Sequence, residues 1–368
     1  MVAHGVAAFF TALLAVAVAL RRRLESRIAH IQTGAERRAV HPVSAGIGAG
    51  AIAALADETV NVYRELYTLR DGSKAFCQVI SPAKCAPTYI LVFFHGYCGH
   101  GDLYIESMVR LARQGAIVIL PDMPCHGRSD GLLAYIPHWW SWVDKVWEIV
   151  DLVLPGVRKL TQKRLNVFAS GCSLGGGLVA CLAIQRPAFF EGLVLVCPML
   201  VVHDHVKPSW IVEQIFKHLL AKLLPTLPAA PTKDLASLFY RVEQQGTRYA
   251  DTNPFSLRGL KPRLGTALQL GFAFPDWMKH QLANVRAPFL VLHGAADRIT
   301  DPSMSQRLHD QAASTDKQIK IYDGACHSEL LDCLPGKAET IGMEFLPEQT
   351  AITDACLADV AAWLAARS

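Results

Sequence analysis

Residues 171–175 read Gly-Cys-Ser-Leu-Gly, a G-x-S-x-G pentapeptide. A serine in that setting can attack an acyl carbon if the chain turns sharply enough to present its hydroxyl. An apolar strand-like run, Leu165–Ala169, precedes it, and a small-residue helical run, Gly175–Ala183, follows. So tight a strand-to-helix turn leaves no room for side chains two positions either side of its centre. Gly171 and Gly175 hold those positions and centre the turn on Ser173. Cys172 is the rival nucleophile, but its neighbours two away are Ser170 and Leu174. It reads as a small buried thiol beneath the turn.

A serine hydroxyl is a weak nucleophile at neutral pH. It needs a base in hydrogen-bond reach, and the base needs an orienting carboxylate. For an elbow of this kind the chain order is serine, acid, histidine. The strand-like run Phe289–Leu292 leads into His293-Gly294-Ala295-Ala296-Asp297, so Asp297 is the expected acid. Its rival, Asp301, stands directly before Pro302 and reads as a helix N-cap. The last strand-like run, Gln318–Tyr322, reaches His327 through a glycine turn, which makes His327 the expected base.

Acyl transfer also needs donors aimed at the oxyanion. The backbone N–H groups of Leu174 and Tyr97 are expected to supply them. Tyr97 lies in a glycine-rich loop, residues 95–101, that His95 and Gly96 would shape. No metal or other cofactor is expected. The ten cysteines are scattered without a C-x-x-C spacing, and His203-Asp204-His205 reads as a solvated stretch.

The elements that must position these groups alternate between strand and helix from Tyr63 onward. That pattern predicts an α/β fold with a mostly parallel sheet flanked by helices. Glu65–Leu69 and Ala75–Ile80 form an opening hairpin, and Tyr89–Phe94, Ala116–Leu120 and Gly192–Cys197 are further strands. Trp139–Leu154 is a strongly apolar helix whose Trp139, Val143, Val146, Trp147 and Val150 share one face, while Trp140 points elsewhere. Between Pro198 and Ala287 the alternation stops, and an amphipathic stretch, Trp210–Leu224, opens a helical insertion. Such an insertion reads as a cap over the carboxyl ends of the strands. The expected organisation is an N-terminal segment 1–24, a linker 25–57 and a catalytic domain 58–368 with a cap at about 199–286.

With 368 residues, half of them apolar, the chain can bury one large core. A net charge of +4 without a basic stripe excludes a nucleic-acid partner. Unpatterned thiols fit a reducing compartment better than a disulfide scaffold. Val2–Leu20 is almost wholly apolar and is followed by Arg21-Arg22-Arg23. The run is long enough to span a bilayer, and the arginines favour a catalytic domain facing the cytoplasm. A cleaved signal or organelle transit peptide is the alternative. The oligomeric state is not legible.

Taken together, these motifs resemble the α/β-hydrolase superfamily, and within it the plant-type monoacylglycerol lipase, lysophospholipase and caffeoylshikimate esterase group. The resemblance spans about Tyr63 to Leu364. It rests on His95-Gly96-Tyr97, on Asp122 with His126-Gly127-Arg128-Ser129-Asp130-Gly131, and on residues 171–176. Pro231-Thr232-Lys233-Asp234, Lys261-Pro262-Arg263-Leu264, residues 293–297 and Thr300-Asp301-Pro302 complete it. It implies a Ser173/Asp297/His327 carboxylester hydrolase acting on an acyl-ester lipid, a monoacylglycerol or lysophospholipid. Hydroxycinnamoyl esterase or acyltransferase activity is the alternative, and a ligand-binding receptor on the same fold is the non-enzyme alternative. Two positions depart from the group: Cys125 stands where glycine is usual, and Cys172 where a polar residue is common. The His-x4-Asp acyltransferase motif of some members is broken, because His100 stands at the aspartate position.

Overall fold

The computed structural model describes residues 15, 16, 18, 19, 22–161, 163–257 and 259–368. Its centre is an eight-stranded sheet in the order β1-β2-β4-β3-β5-β6-β7-β8. The strands are β1 Val60–Thr68, β2 Lys74–Pro82, β3 Tyr89–Phe94, β4 Ala116–Pro121, β5 Asn166–Cys172, β6 Gly192–Val196, β7 Phe289–Gly294 and β8 Lys317–Tyr322. β1 and β2 pair antiparallel, as do β2 and β4, and every pairing from β4 through β8 is parallel. The sheet is thus mostly parallel with an antiparallel edge, flanked by helices on both faces, as the alternation predicts.

Burial explains the central strands. Every residue of β3, β4, β6 and β7 is buried, so these runs are apolar without alternation. Each large side chain so buried stabilises the fold by about 2 kcal/mol relative to exposure. Helix Trp139–Arg158 lays Trp139, Val143, Val146, Trp147 and Val150 into one of the two main cores. It continues one turn past its sequence-predicted end and takes Pro155 into its last turn, where the missing N–H costs one helical hydrogen bond. Trp140 meets Trp277 of the insertion edge to face, ring centres 4.8 Å apart.

Between β6 and β7 lie the helical elements of the expected cap. Trp210–Ile215, a π-helical turn Phe216–Leu220 and Ala221–Leu223 run in sequence, followed by Glu243–Thr252, Leu264–Leu268 and Phe274–Met278. Trp210, Ile211, Ile215, Leu219 and Leu223 are all exposed.

Two N-terminal expectations change. Among the described residues no helix is long and apolar enough to cross a membrane. The expected anchor is therefore corrected, and with it the membrane partner and membrane location drawn from it. Most of Val2–Leu20 lies outside the described residues. The stretch read as a linker is instead folded onto the domain. A 3-10 turn, Ser26–Ile31, buries Ile28 and Ile31, and helix Gly34–Val40 starts with a capping box between Thr33 and Glu36. Arg37 is fully buried and donates to the carbonyls of Ile31, Gln32, Gly127, Ser129 and Gly131. This docking has no signature in the sequence, since alanines, glycines and arginines show no apolar periodicity. The buried residues of the stretch are Ile28, Ile31, Gly34, Arg37, Ala51 and Ala54.

Candidate active site

β5 ends at Cys172 and a helix begins at Leu174, so Ser173 alone makes the turn. Its φ of 56° and ψ of −117° lie where side chains other than glycine are strained. The turn is held by the Ser173 N–H donating to the Val196 carbonyl at 2.9 Å and by the Met199 N–H donating to the Ser173 carbonyl at 2.8 Å. The flanking glycines are sterically required. A Cβ on Gly171 would strike the backbone of Gly175, and one on Gly175 would strike the Phe94 carbonyl. Cys172, the rival nucleophile, is buried, and burial pushes its thiol well above the usual range.

Asp297 and His327 come together across 30 residues of chain: His327 Nδ1 lies 2.6 Å from Asp297 Oδ2. The other oxygen, Oδ1, accepts the N–H groups of Ile299 and Thr300 at 2.8 and 3.0 Å, which pins the carboxylate plane. Thr300 Oγ1 donates to Oδ2 at 2.7 Å, and His293 Nε2 stands 3.2 Å from the same oxygen. Burial alone would raise the Asp297 pKa. The charge of His327 and hydrogen bonds from His293 and His327 outweigh it and hold the carboxyl well below the usual range. Asp301 caps the helix Pro302–Gln311, its side chain accepting the Ser303 N–H at 2.9 Å.

The loop after β3 passes directly over the elbow. A Cβ on Gly96 would lie 3.5 Å from Ser173 Cβ, ordinary van der Waals contact. His95 shapes the loop from beneath: Nδ1 bonds the Gly96 carbonyl at 2.8 Å, and Nε2 accepts the Met123 N–H at 2.9 Å. Burial lowers its pKa to about 3, so the ring is neutral and its two nitrogens play opposite roles. The N–H groups of Tyr97 and Leu174 donate to no backbone acceptor among the described residues.

Ser173, His327, Tyr97 and Gly96 line one pocket of about 410 Å³. Leu235, Phe239, Leu257, Leu260 and Ile299 give it apolar walls, while Tyr104, Tyr249, Asn253, Lys233 and Lys261 add polar groups. Most of these wall residues come from the insertion, where Lys233 and Lys261 lie in quoted motifs but Leu235, Phe239, Tyr249, Asn253, Leu257 and Leu260 belong to none. Thr300 and His293 were also missed as partners of Asp297, although both lie in quoted motifs.

Cys197 was missed as well. Its thiol, the Asp297 carboxylate and a His327 ring nitrogen lie within 4.8 Å of one another, a grouping that could in principle hold a metal ion. Burial pushes the Cys197 thiol well above the usual range, and Asp297 and His327 are spent on each other. The donor set suits proton transfer better than metal binding. All ten cysteines are free thiols.

The family model described as serine aminopeptidase, S33 (Hydrolase_4) matches residues 86–333. The chain belongs to this family of α/β-hydrolases. Among its relatives, human monoglyceride lipase is 31% identical over 265 residues, 70% of this chain and 80% of that protein. Caffeoylshikimate esterase of Arabidopsis thaliana is 28% identical over 261 residues, 70% of this chain and 76% of that protein. Monoacylglycerol lipase from Paleococcus ferrophilus superposes with a TM-score of 0.61 at 24% identity, covering 83% of this chain and all of that one. A soluble variant of the Saccharomyces cerevisiae monoglyceride lipase gives 0.67 at 17% identity, covering 84% of this chain and 95% of that one. These two likenesses show the fold. Family membership makes this α/β-hydrolase a serine-type ester hydrolase.

Proposed function

We propose that the protein cleaves the ester bond of an acyl lipid, a monoacylglycerol or lysophospholipid, with Ser173, His327 and Asp297 as its triad. The observation that carries this is the 2.6 Å contact of Asp297 with His327, in a pocket that His327 shares with the strained Ser173. Ser173 attacks the ester carbonyl while His327 Nε2 takes its proton. The tetrahedral oxyanion is held by the N–H groups of Tyr97 and Leu174. Collapse expels the alcohol, which receives the proton from His327, and leaves an acyl-enzyme. Water, deprotonated by the same imidazole, then releases the acid and restores Ser173. Asp297 holds the ring so that Nδ1 carries hydrogen and stabilises the imidazolium.

The relatives named as monoglyceride lipases support a lipid substrate, and the apolar pocket walls suit an acyl chain. Lys233 and Lys261 stand with Asp234 in the same lining, so two cations and one carboxylate would surround the head group of either lipid. The relative named caffeoylshikimate esterase supports a second reading, a hydroxycinnamoyl ester, whose acid-bearing alcohol would meet the same lysines. Fluorophosphonate labelling of wild type and Ser173→Ala, followed by turnover of the three ester classes, tests the proposal. Label on wild type alone, with fastest turnover of lysophospholipid or monoacylglycerol, is expected. Label retained by Ser173→Ala would overturn the nucleophile, and a preference for hydroxycinnamoyl esters would overturn the substrate class.

A further inference from the structure

We propose that residues 25–48 are a clamp that positions the oxyanion loop and the insertion's wall of the substrate pocket. The inference rests on the assignment of the loop at Tyr97 made above. It concerns a segment outside the family match, which starts at residue 86.

The clamp grips the insertion through Arg263. This side chain is fully buried, and its guanidinium reaches Glu25 Oε1 at 2.7 Å and Gln32 Oε1 at 3.0 Å. The same group donates to the carbonyls of Thr226 at 2.5 Å and Leu133 at 2.8 Å. One buried cation therefore binds the clamp to the insertion and to the turn at Leu133.

The apolar filling lies between these parts. Ile28 and Ile31 share a core with Leu133, Ala134, Phe255 and Leu257, bordered by Ile47, Tyr97, Cys98 and Leu260. Tyr97, Cys98, Leu257 and Leu260 also line the pocket that holds Ser173 and His327. Their pocket-facing positions are thus backed by clamp isoleucines. Phe255 is the joint, meeting His41 of the clamp at 5.4 Å and His100 of the loop at 5.1 Å, both edge to face.

On the loop side the clamp works through Asp102. This carboxylate pairs with Arg64 at 2.7 Å and Arg128 at 3.1 Å and accepts the Ile47 N–H at 2.9 Å. Arg128 also donates to the carbonyls of His41, Pro42 and Ala45, and Arg64 to that of Ala45. Clamp carbonyls therefore help hold both guanidiniums that fix Asp102, two residues beyond His100. An oxyanion donor acts only if held within a few tenths of an ångström, so the segment that fixes its loop bears on rate as well as stability.

The test uses two full-chain variants. Ile31→Ala/Ile47→Ala loosens the loop side, and Glu25→Ala/Gln32→Ala, whose side chains are partly exposed, releases the insertion. Three readouts are taken: the rate of fluorophosphonate labelling, kcat and KM on a short aryl ester and a long-chain monoacylglycerol, and the thermal midpoint. The loop-side variant should lose about ten-fold in labelling rate and in kcat on both esters. The insertion-side variant should raise KM for the long-chain ester about ten-fold, with a smaller change in kcat. Wild-type constants in both folded variants overturn the clamp, as do losses equal in every parameter that follow the thermal midpoint. If the loop-side variant does not fold, the insertion-side KM decides alone. A wild type that takes no label overturns the Ser173 assignment and the clamp with it.

Discussion

Asp297 Oδ2 lies 2.6 Å from His327 Nδ1, while Oδ1 of the same carboxylate accepts two backbone N–H groups from its own loop. The loop fixes the carboxylate and the carboxylate fixes the ring. In the proposed triad Nδ1 then carries hydrogen, and Nε2 is left to take a proton from Ser173. Asp297→Asn would present an amide donor to Nδ1 and favour the wrong tautomer. A loss in kcat of about ten-thousand-fold is expected. Asp301→Ala removes only a helix cap and should cost about 1 kcal/mol in urea unfolding with kcat retained. Comparable kinetic losses in the two variants would reverse the assignment of acid and cap.

The order of strands and helices is legible in the sequence alone. The central strands were readable because burial on both faces makes them continuous apolar runs, as in Tyr89–Phe94. The proposed Ser173, Asp297 and His327 stand out in the sequence because each follows a strand end, where a short turn needs glycine. The N-terminal clamp does not, because its docking depends on Arg37 and Arg263 meeting backbone carbonyls and polar partners. Neither hydropathy nor spacing reports where a guanidinium is buried. Part of the pocket wall was equally hidden, since Phe239, Tyr249 and Leu257 lie in no motif and reach the site only through the path of the insertion.

The elbow makes a steric prediction. A Cβ on Gly175 would overlap the Phe94 carbonyl and lie 2.8 Å from the His95 carbonyl, both rigid backbone. Gly175→Ala must therefore push the oxyanion loop away from Ser173. About 2 kcal/mol of stability should be lost, and kcat should fall about a hundred-fold. Gly156→Ala is the control, because a Cβ there meets nothing within 4 Å and it lies in a helix. That change should stabilise by about 0.5 kcal/mol and leave kcat alone. Full activity in Gly175→Ala would show that the loop tolerates displacement.

Three buried imidazoles set the response to acid. Burial lowers His95 to about 3 and His126 to about 4, and holds His100 well below its usual range. In the unfolded chain each returns to about 6.5. The unfolded state therefore binds more protons at every pH between those limits. Stability is complete above about pH 6.5 and is lost as pH falls toward the folded values, by up to about 1.4 kcal/mol per pH unit for each histidine. Asp122 acts against them: burial raises its carboxyl to about 6, so it gives up most of one proton on unfolding near pH 5. Calorimetry in two buffers of different ionisation heat should therefore find a net uptake of about two protons on unfolding near pH 5. Uptake below one proton would mean that these rings are charged or hydrated in the fold.

Cys125 offers the last test, at a position where the resemblance leads one to expect glycine. Its φ is 67°, in the left-handed region that favours glycine. The turn is fixed there by the Cys125 N–H donating to the Asp130 carbonyl at 2.9 Å and by its own carbonyl accepting the Ala134 N–H at 2.8 Å. Holding a side chain in that conformation costs about 1–2 kcal/mol. Glycine removes the strain but adds about 0.5–1 kcal/mol of unfolded-state entropy. Cys125→Gly should therefore stabilise by about 0.5 kcal/mol in urea unfolding, with an unchanged slope and unchanged kcat. A loss of stability instead would show that the packing of this thiol outweighs the strain it imposes.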